Sequence, residues 1–296
     1  MNTIGIHGMV WVGGFSRPEA EHAVTSTARA GYSLIELPPV DPSTLDLPYL
    51  RMLLDDNGLS VSATLGLDEA TDVSSEDPVI VRSGRERLLR AAEMVAELGG
   101  NYLGGVIYSK LGRYTEPVSS AGRANSVESM ALLADQAASS GIRVGLEVVN
   151  RYETNVLNTT AQALEFISEV DRDNVCVHLD TYHMNIEERS FREAITAAAG
   201  AGRLGYFHVG ESHRGQLGTG SVPWTETFDA LAQAEYDGVI TFESFSSEVV
   251  HPTLSSALAI WRNTWTDSFD LAVGAREFLR GRLAAAAKAS AGGIKG

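Results

Sequence analysis

Four acidic or imidazole side chains stand at the ends of four short apolar runs between residues 143 and 243. Arg143-Val-Gly-Leu-Glu147 ends on a carboxylate, and Val175-Cys-Val-His-Leu-Asp180 on another. Gly205-Tyr-Phe-His208 ends on an imidazole, and Val239-Ile-Thr-Phe-Glu243 on a third carboxylate. A carboxylate where a buried strand stops is costly unless it is paired, hydrogen-bonded or metal-bound. Taken singly, each acid reads as a helix cap or a loop-bonding group, and His208 as a hydrogen-bonded histidine. Four at successive strand ends exceed what capping explains. Three carboxylates and one imidazole form a hard, mostly oxygen ligand set for one divalent ion, suiting Mn²⁺, Mg²⁺ or Co²⁺ better than a structural zinc. Such an ion takes about six ligands, which leaves positions for substrate oxygens. Glu153, His183 and Arg214 each lie in the loop after one of these runs. From there they can reach over a metal to a hydroxyl-bearing substrate.

Convergence of these residues requires an architecture that ends every strand on one face. Strands are expected at Thr3–His7, Ser33–Glu36, Val61–Leu65 and Tyr102–Ile107, followed by the four runs above. Helices are expected at Pro18–Ala30, with Ser16 as cap and Gly31 as stop, and at Leu47–Asp56, closed by Asn57-Gly58. Further helices are expected at Ser83–Leu98, Asn125–Ser139, Thr159–Val170, Phe191–Ala199 and Trp224–Ala234. Asp68–Pro78 reads as a polar loop, and the last helices as Leu254–Arg262 and Phe269–Ala286. Trp261 and Trp265, four apart, are expected to pack from one helix onto the barrel or a subunit contact. Residues 289–296 read as a frayed tail of one domain spanning 1–296. Eight strands alternating with helices give an α/β fold, a (β/α)₈ TIM barrel whose chemistry sits at the C-terminal strand ends. A doubly wound open sheet is the alternative, but no Gly-x-Gly-x-x-Gly follows the first strand.

Composition narrows the partners. The 296 residues carry 38 acidic against 23 basic side chains, a net charge of −15, which argues against nucleic acid or anionic membrane. The single cysteine, Cys176, excludes a disulfide framework and a thiolate zinc cluster, and reads as a small core residue. The N-terminal residues lack a signal-peptide pattern and no apolar run is long enough to span a bilayer, so a cytoplasmic location is expected.

Glu147-Val-Val-Asn-Arg-Tyr-Glu-Thr-Asn155, His178-Leu-Asp-Thr-Tyr-His-Met-Asn185, His208-Val-Gly-Glu-Ser-His-Arg214 and Phe242-Glu-Ser244 together resemble the D-tagatose 3-epimerase family. That family includes the D-allulose (psicose) and L-ribulose 3-epimerases, within the wider xylose-isomerase-like barrels. The likeness runs from Gly5-Ile-His-Gly-Met-Val-Trp11 to about Trp265. The resemblance implies that Glu147, Asp180, His208 and Glu243 hold one Mn²⁺, Mg²⁺ or Co²⁺. It also implies that Glu153, His183 and Arg214 contact sugar oxygens, and that the chain forms a homodimer or homotetramer. Many members carry an aromatic residue in place of His7 and a longer loop after Trp11; L-ribulose-type members are the most similar in this respect.

The implied reaction inverts C3 of a free ketose through a cis-enediolate, as in D-fructose/D-allulose, D-tagatose/D-sorbose or L-ribulose/L-xylulose. One of Glu147 and Glu243 is expected to remove the C3 proton, and the other to return a proton to the opposite face. An aldose–ketose isomerase or a sugar or inosose dehydratase would share the ligand set and differ only in product. A DNA-processing metal barrel would need a basic face, and a non-catalytic sugar-binding barrel would leave two acids at the metal without a task. Gly218-Thr-Gly-Ser221 lacks the Lys of a phosphate-cradling loop, which favours a free sugar over a phosphorylated one. Glu36 at the end of the second strand reads equally as a substrate-positioning group and as a barrel-mouth ion pair.

Overall fold

The apolar runs become strands β1 (Ile4–His7), β2 (Leu34–Leu37), β3 (Ser60–Leu67), β4 (Tyr102–Lys110), β5 (Arg143–Glu147), β6 (Val175–Asp180), β7 (Leu204–Val209) and β8 (Ile240–Phe242). They are seen in a computed structural model that describes residues 2–38 and 41–292. Each strand hydrogen-bonds in parallel to the next, and β8 returns to β1 through Ile4↔Ile240, Gly5↔Thr241 and Ile6↔Phe242. The sheet is therefore a closed parallel barrel, the expected (β/α)₈ architecture, and all strand ends after which loops begin share one rim.

Helices α1 (Arg17–Arg29), α2 (Leu47–Asn57), α3 (Pro78–Glu97), α4 (Ser120–Ala138) and α5 (Thr160–Val170) cover the first half. Then follow α6 (Thr181–Glu187), α7 (Phe191–Gly200), α8 (Trp224–Gln233), α9 (Pro252–Ala257) and α10 (Ser268–Gly292). None of the helices described is long and apolar enough to cross a membrane.

The two-residue period of the strands sorts side chains between two environments. Along β6, Val175, Val177 and Leu179 join the large apolar cluster shared with the helices. Cys176 instead faces Tyr102 and Tyr206 in a small cluster inside the barrel, and His178 and Asp180 follow it on that face. In β7, Phe207 and Val209 likewise pack outward, while Tyr206 and His208 lie inside. Tyr102 and Tyr206 stack with ring centroids 3.9 Å apart, and Tyr206 Oη is bonded to Ser62 Oγ (2.8 Å) and Thr241 Oγ1 (2.7 Å). Gly145 makes this floor possible, because a Cβ there would collide with the Tyr102 hydroxyl. The barrel thus has a packed floor below a polar rim.

Several boundaries differ from the sequence reading. Helix α3 starts at Pro78 because Asp77 accepts from Val79 N (2.8 Å), and α4 starts at Ser120 because Ser119 Oγ accepts from Gly122 N (3.1 Å). The expected helix Leu254–Arg262 is instead the short α9, ended by a turn in which Ala259 has φ 53°. Trp261 and Trp265 therefore do not share a helix: Trp261 is 75% exposed, whereas Trp265 is half-buried against the core. Helix α10 continues through Gly292, into the stretch expected to fray; residues 293–296 lie outside the described residues.

Candidate active site

Parallel register brings the four strand-end residues to one level. Asp180 pairs with His208 across β6 and β7, and Glu243 follows β8 directly. His208 is fully buried, and its Nδ1 lies 3.5 Å from Glu147 Oε1, 3.8 Å from Asp180 Oδ2 and 3.7 Å from Glu243 Oε1. All four side chains are thus brought together. Two members are also held from outside the cluster. His208 Nε2 is 2.9 Å from Glu36 Oε1; a carboxylate only accepts, so a proton sits on Nε2 and Nδ1 is the ring nitrogen that faces the three acids. Asp180 Oδ1 caps α6, accepting from Tyr182 N (2.6 Å) and His183 N (3.1 Å). That leaves Oδ2 directed at the cluster.

The donor set fits a divalent cation. His208 Nδ1 and Asp180 Oδ2 are buried with no hydrogen-bond partner among the described residues, and both point to the same space. Burial lifts the Glu243 carboxyl well above the usual range, and Asp180 and Glu147 add to the rise against the opposing pull of His208 and Arg214. Crowded carboxylates of this kind are what a bound cation relieves. At His208, burial favours the neutral ring, but the charges of Glu36 and Glu243 outweigh it and raise the imidazole well above its ordinary value. Donor atoms of Glu147, His178 and His208, and of Asp180, His208 and Glu243, lie close enough to share an ion. His178 is the one addition to the sequence-derived set. Its ring stands edge-on to His208 at 4.1 Å and to Tyr206 at 4.9 Å, one layer below Asp180, and burial drives its pKa well down.

The three outer residues also meet at this rim. His183 Nδ1 accepts from Asn150 N (3.1 Å), which puts its proton on Nε2, 3.9 Å from both Glu147 Oε1 and Glu153 Oε2. Arg214 donates from Nη2 to Glu153 Oε1 (2.9 Å), and its Nη1 is 3.6 Å from Glu243 Oε2. Its guanidinium lies over the rings of Tyr182 (4.0 Å) and Phe245 (4.8 Å). The Arg214 backbone is left-handed (φ 58°) and is held there by a bond from its N to Glu211 O (2.7 Å). Such a conformation costs a non-glycine residue ~1–3 kcal/mol and persists where the surroundings dictate it.

Above the cluster opens a cavity whose polar lining comes from Glu147, Glu153, His183, Arg214 and Glu243. Met9, Leu65, Leu111, Leu254 and Leu258 supply apolar lining. His7 and Thr64 line it as well. Burial lowers the His7 pKa to about 4, so the ring is neutral; its Nδ1 accepts from Met9 N (3.2 Å). A small polar ligand can therefore have one end among charged groups and the other on apolar ones. Sequence reasoning missed Asn150, His178 and Glu211 as individual residues, although all three lie within the motifs it singled out.

Fold and site together define a TIM-barrel enzyme class with a cluster of candidate metal ligands at the C-terminal rim. A family model described as a xylose isomerase-like TIM barrel matches residues 24–268. The chain is 51% identical over 282 residues to the ketose 3-epimerase of Arthrobacter globiformis, covering 95% of this chain and 97% of that one. It is 52% identical over 278 residues to the L-ribulose 3-epimerase of Methylomonas sp. (strain DH-1), covering 94% and 96%. A crystal structure of D-allulose 3-epimerase from Methylomonas sp. in complex with D-allulose superposes with a TM-score of 0.93 at 51% identity, covering 95% of this chain and 97% of that one. The chain belongs to the xylose isomerase-like TIM barrel family and, within it, to the ketose 3-epimerases.

Proposed function

We propose that the chain interconverts free ketoses epimeric at C3, with Glu147 and Glu243 as the proton-transferring pair. Glu147, Asp180, His208 and Glu243 would hold one divalent ion, Mn²⁺ before Mg²⁺ or Co²⁺. The observation that carries the reading is the placement of two carboxylates, from the end of β5 and from just after β8, at 3.5 and 3.7 Å from one atom, His208 Nδ1. Two bases flanking one carbon are what inversion needs. When bound, the ion supplies Lewis-acid polarisation of the ketose carbonyl, which acidifies the neighbouring C3–H.

One glutamate takes the C3 proton, and the electron pair of the broken C–H bond enters the C2–C3 bond to give an enediolate. The second glutamate, protonated, delivers its proton to the opposite face of C3 and restores the ketone. Each turnover leaves the first acid protonated and the second ionised, so both exchange with solvent before the cycle repeats. Glu153, His183 and Arg214 orient the sugar oxygens: the His183 Nε2–H and the Arg214 guanidinium are the donors, and Glu153 is the acceptor. The apolar wall of Leu111, Leu254 and Leu258 supports a substrate whose far end carries no phosphate. A homodimer or homotetramer belongs to this reading, and exposed Trp261 and Tyr152 offer aromatic surface for such contacts.

The isomerase and dehydratase readings have less support, because relatives about half identical over nearly the whole chain are named 3-epimerases. The test is product analysis after chelator-stripped enzyme is reloaded with Mn²⁺, Mg²⁺ or Co²⁺ and given D-fructose, D-tagatose or L-ribulose. The C3 epimer, formed only after reloading, supports the proposal. An aldose, or full activity in the stripped enzyme, overturns it.

A further inference from the structure

Glu36 is a fully buried carboxylate that belongs neither to the ligand cluster nor to the cavity wall. It lies on β2, and His208 lies 172 residues later on β7, yet their side chains meet at 2.9 Å. His7 and Thr64, which do line the cavity, stand over it: Thr64 Oγ1 is 3.3 Å and His7 Nε2 is 3.7 Å from Glu36 Oε1. Its second oxygen, Oε2, has no partner among the described residues, so the pairing falls on the His208 imidazole. Burying a carboxylate with so little solvation is strongly unfavourable unless its partner repays it. The partner here is the one nitrogen donor among the four ligand candidates of the sequence reading.

We propose that Glu36 is a positioning residue of the metal centre: by accepting the Nε2–H of His208, it fixes the ring's orientation and tautomer so that Nδ1 faces Glu147, Asp180 and Glu243. Without that acceptor the ring can rotate or carry its proton on Nδ1, and neither state presents a lone pair to an ion. Because His7 and Thr64 screen it from the cavity, Glu36 acts on the metal and not on the sugar. A histidine ligand whose other ring nitrogen donates to a carboxylate is a recurrent way of raising metal affinity, and its loss costs roughly 10- to 100-fold in binding. This inference rests on the metal reading above.

The experiment measures Mn²⁺ affinity by competition with a chelating dye for the wild-type chain, Glu36→Gln and Glu36→Leu. Far-UV circular dichroism and metal-free melting are recorded for each. Both variants are expected to bind Mn²⁺ more weakly, Glu36→Leu by roughly 10- to 100-fold. Glu36→Gln should lose less, since its amide oxygen can still accept from His208. If Glu36→Leu does not fold, the isosteric Glu36→Gln decides. A folded variant that binds Mn²⁺ as tightly as the wild type overturns the inference, even if its metal-free melting temperature has fallen. Failure of the wild-type chain itself to bind Mn²⁺ overturns the metal reading, and this inference with it.

Discussion

Arg214 Nη2 lies 2.9 Å from Glu153 Oε1, and both side chains are buried at the barrel rim. Both line the cavity but are largely buried, so each charge leans on the other. Removing one partner of such a pair costs ~3–5 kcal/mol, because the remaining charge stays buried and unpaired. Arg214→Met is therefore expected to lower stability by about that amount, measured by urea denaturation. The double variant Arg214→Met/Glu153→Gln should be less destabilised than the sum of the two single variants. Strict additivity would mean that the contact contributes nothing.

Asp180 divides its oxygens between a helix cap and the metal cluster. Asp180→Asn retains an oxygen that can cap α6 but loses the ligand charge. It should fold with nearly wild-type melting in the absence of metal and bind Mn²⁺ at least 10-fold more weakly. Asp180→Ala loses the cap as well, and should melt lower by the equivalent of ~0.5–2 kcal/mol. Equal metal-free stability of the two variants would show that the cap is unimportant.

Glu211 anchors the loop between β7 and α8. Its carboxylate accepts from Ser212 N (2.8 Å), Gly218 N (2.8 Å), Val222 N (3.4 Å) and Trp224 Nε1 (3.0 Å). Burial alone would raise its pKa, but these donors, led by Ser212 N and Trp224, bring it below the usual glutamate value. A group depressed in the folded state stabilises fully above its unfolded pKa, and the contribution is lost as pH falls through the folded pKa. The wild-type melting temperature should therefore drop on acidification below about pH 4, near the unfolded glutamate value. Glu211→Gln should lose stability at neutral pH and show a shallower acid decline. An acid decline as steep as that of the wild type would remove Glu211 from the explanation.

The barrel and the convergence of all seven site candidates are legible because strand ends and the residues just after them are local features. Glu147, Asp180, His208 and Glu243 each close an apolar run, and parallel closure then leaves them little choice but to meet. Loop position alone points Arg214 to the site; its left-handed backbone and aromatic contacts depend on Glu211, Tyr182 and Phe245. The Glu36–His208 contact spans the barrel interior, and no spacing along the chain reveals which two of eight strands face each other at that depth. The sequence pattern starts α3 too late because Asp77-Pro78 reads as the end of a loop, whereas that pair is a cap followed by the preset φ of a first-turn proline. The sequence expectation of a helix over Leu254–Arg262 fails because Ala259 turns the chain out of it.

The central claim is that Glu147 and Glu243 exchange protons at C3 of a ketose held at the metal centre. The most direct measurement is proton NMR of D-fructose incubated in D₂O with Mn²⁺-loaded enzyme, beside Glu243→Gln at the same loading. For the wild type, deuterium should enter C3 as D-allulose appears. Glu243→Gln should still bind the sugar but lose epimerisation by ~10²–10⁴-fold, the usual contribution of one acid–base group. Exchange at C1 with an aldose product, or wild-type turnover in Glu243→Gln, would contradict the claim.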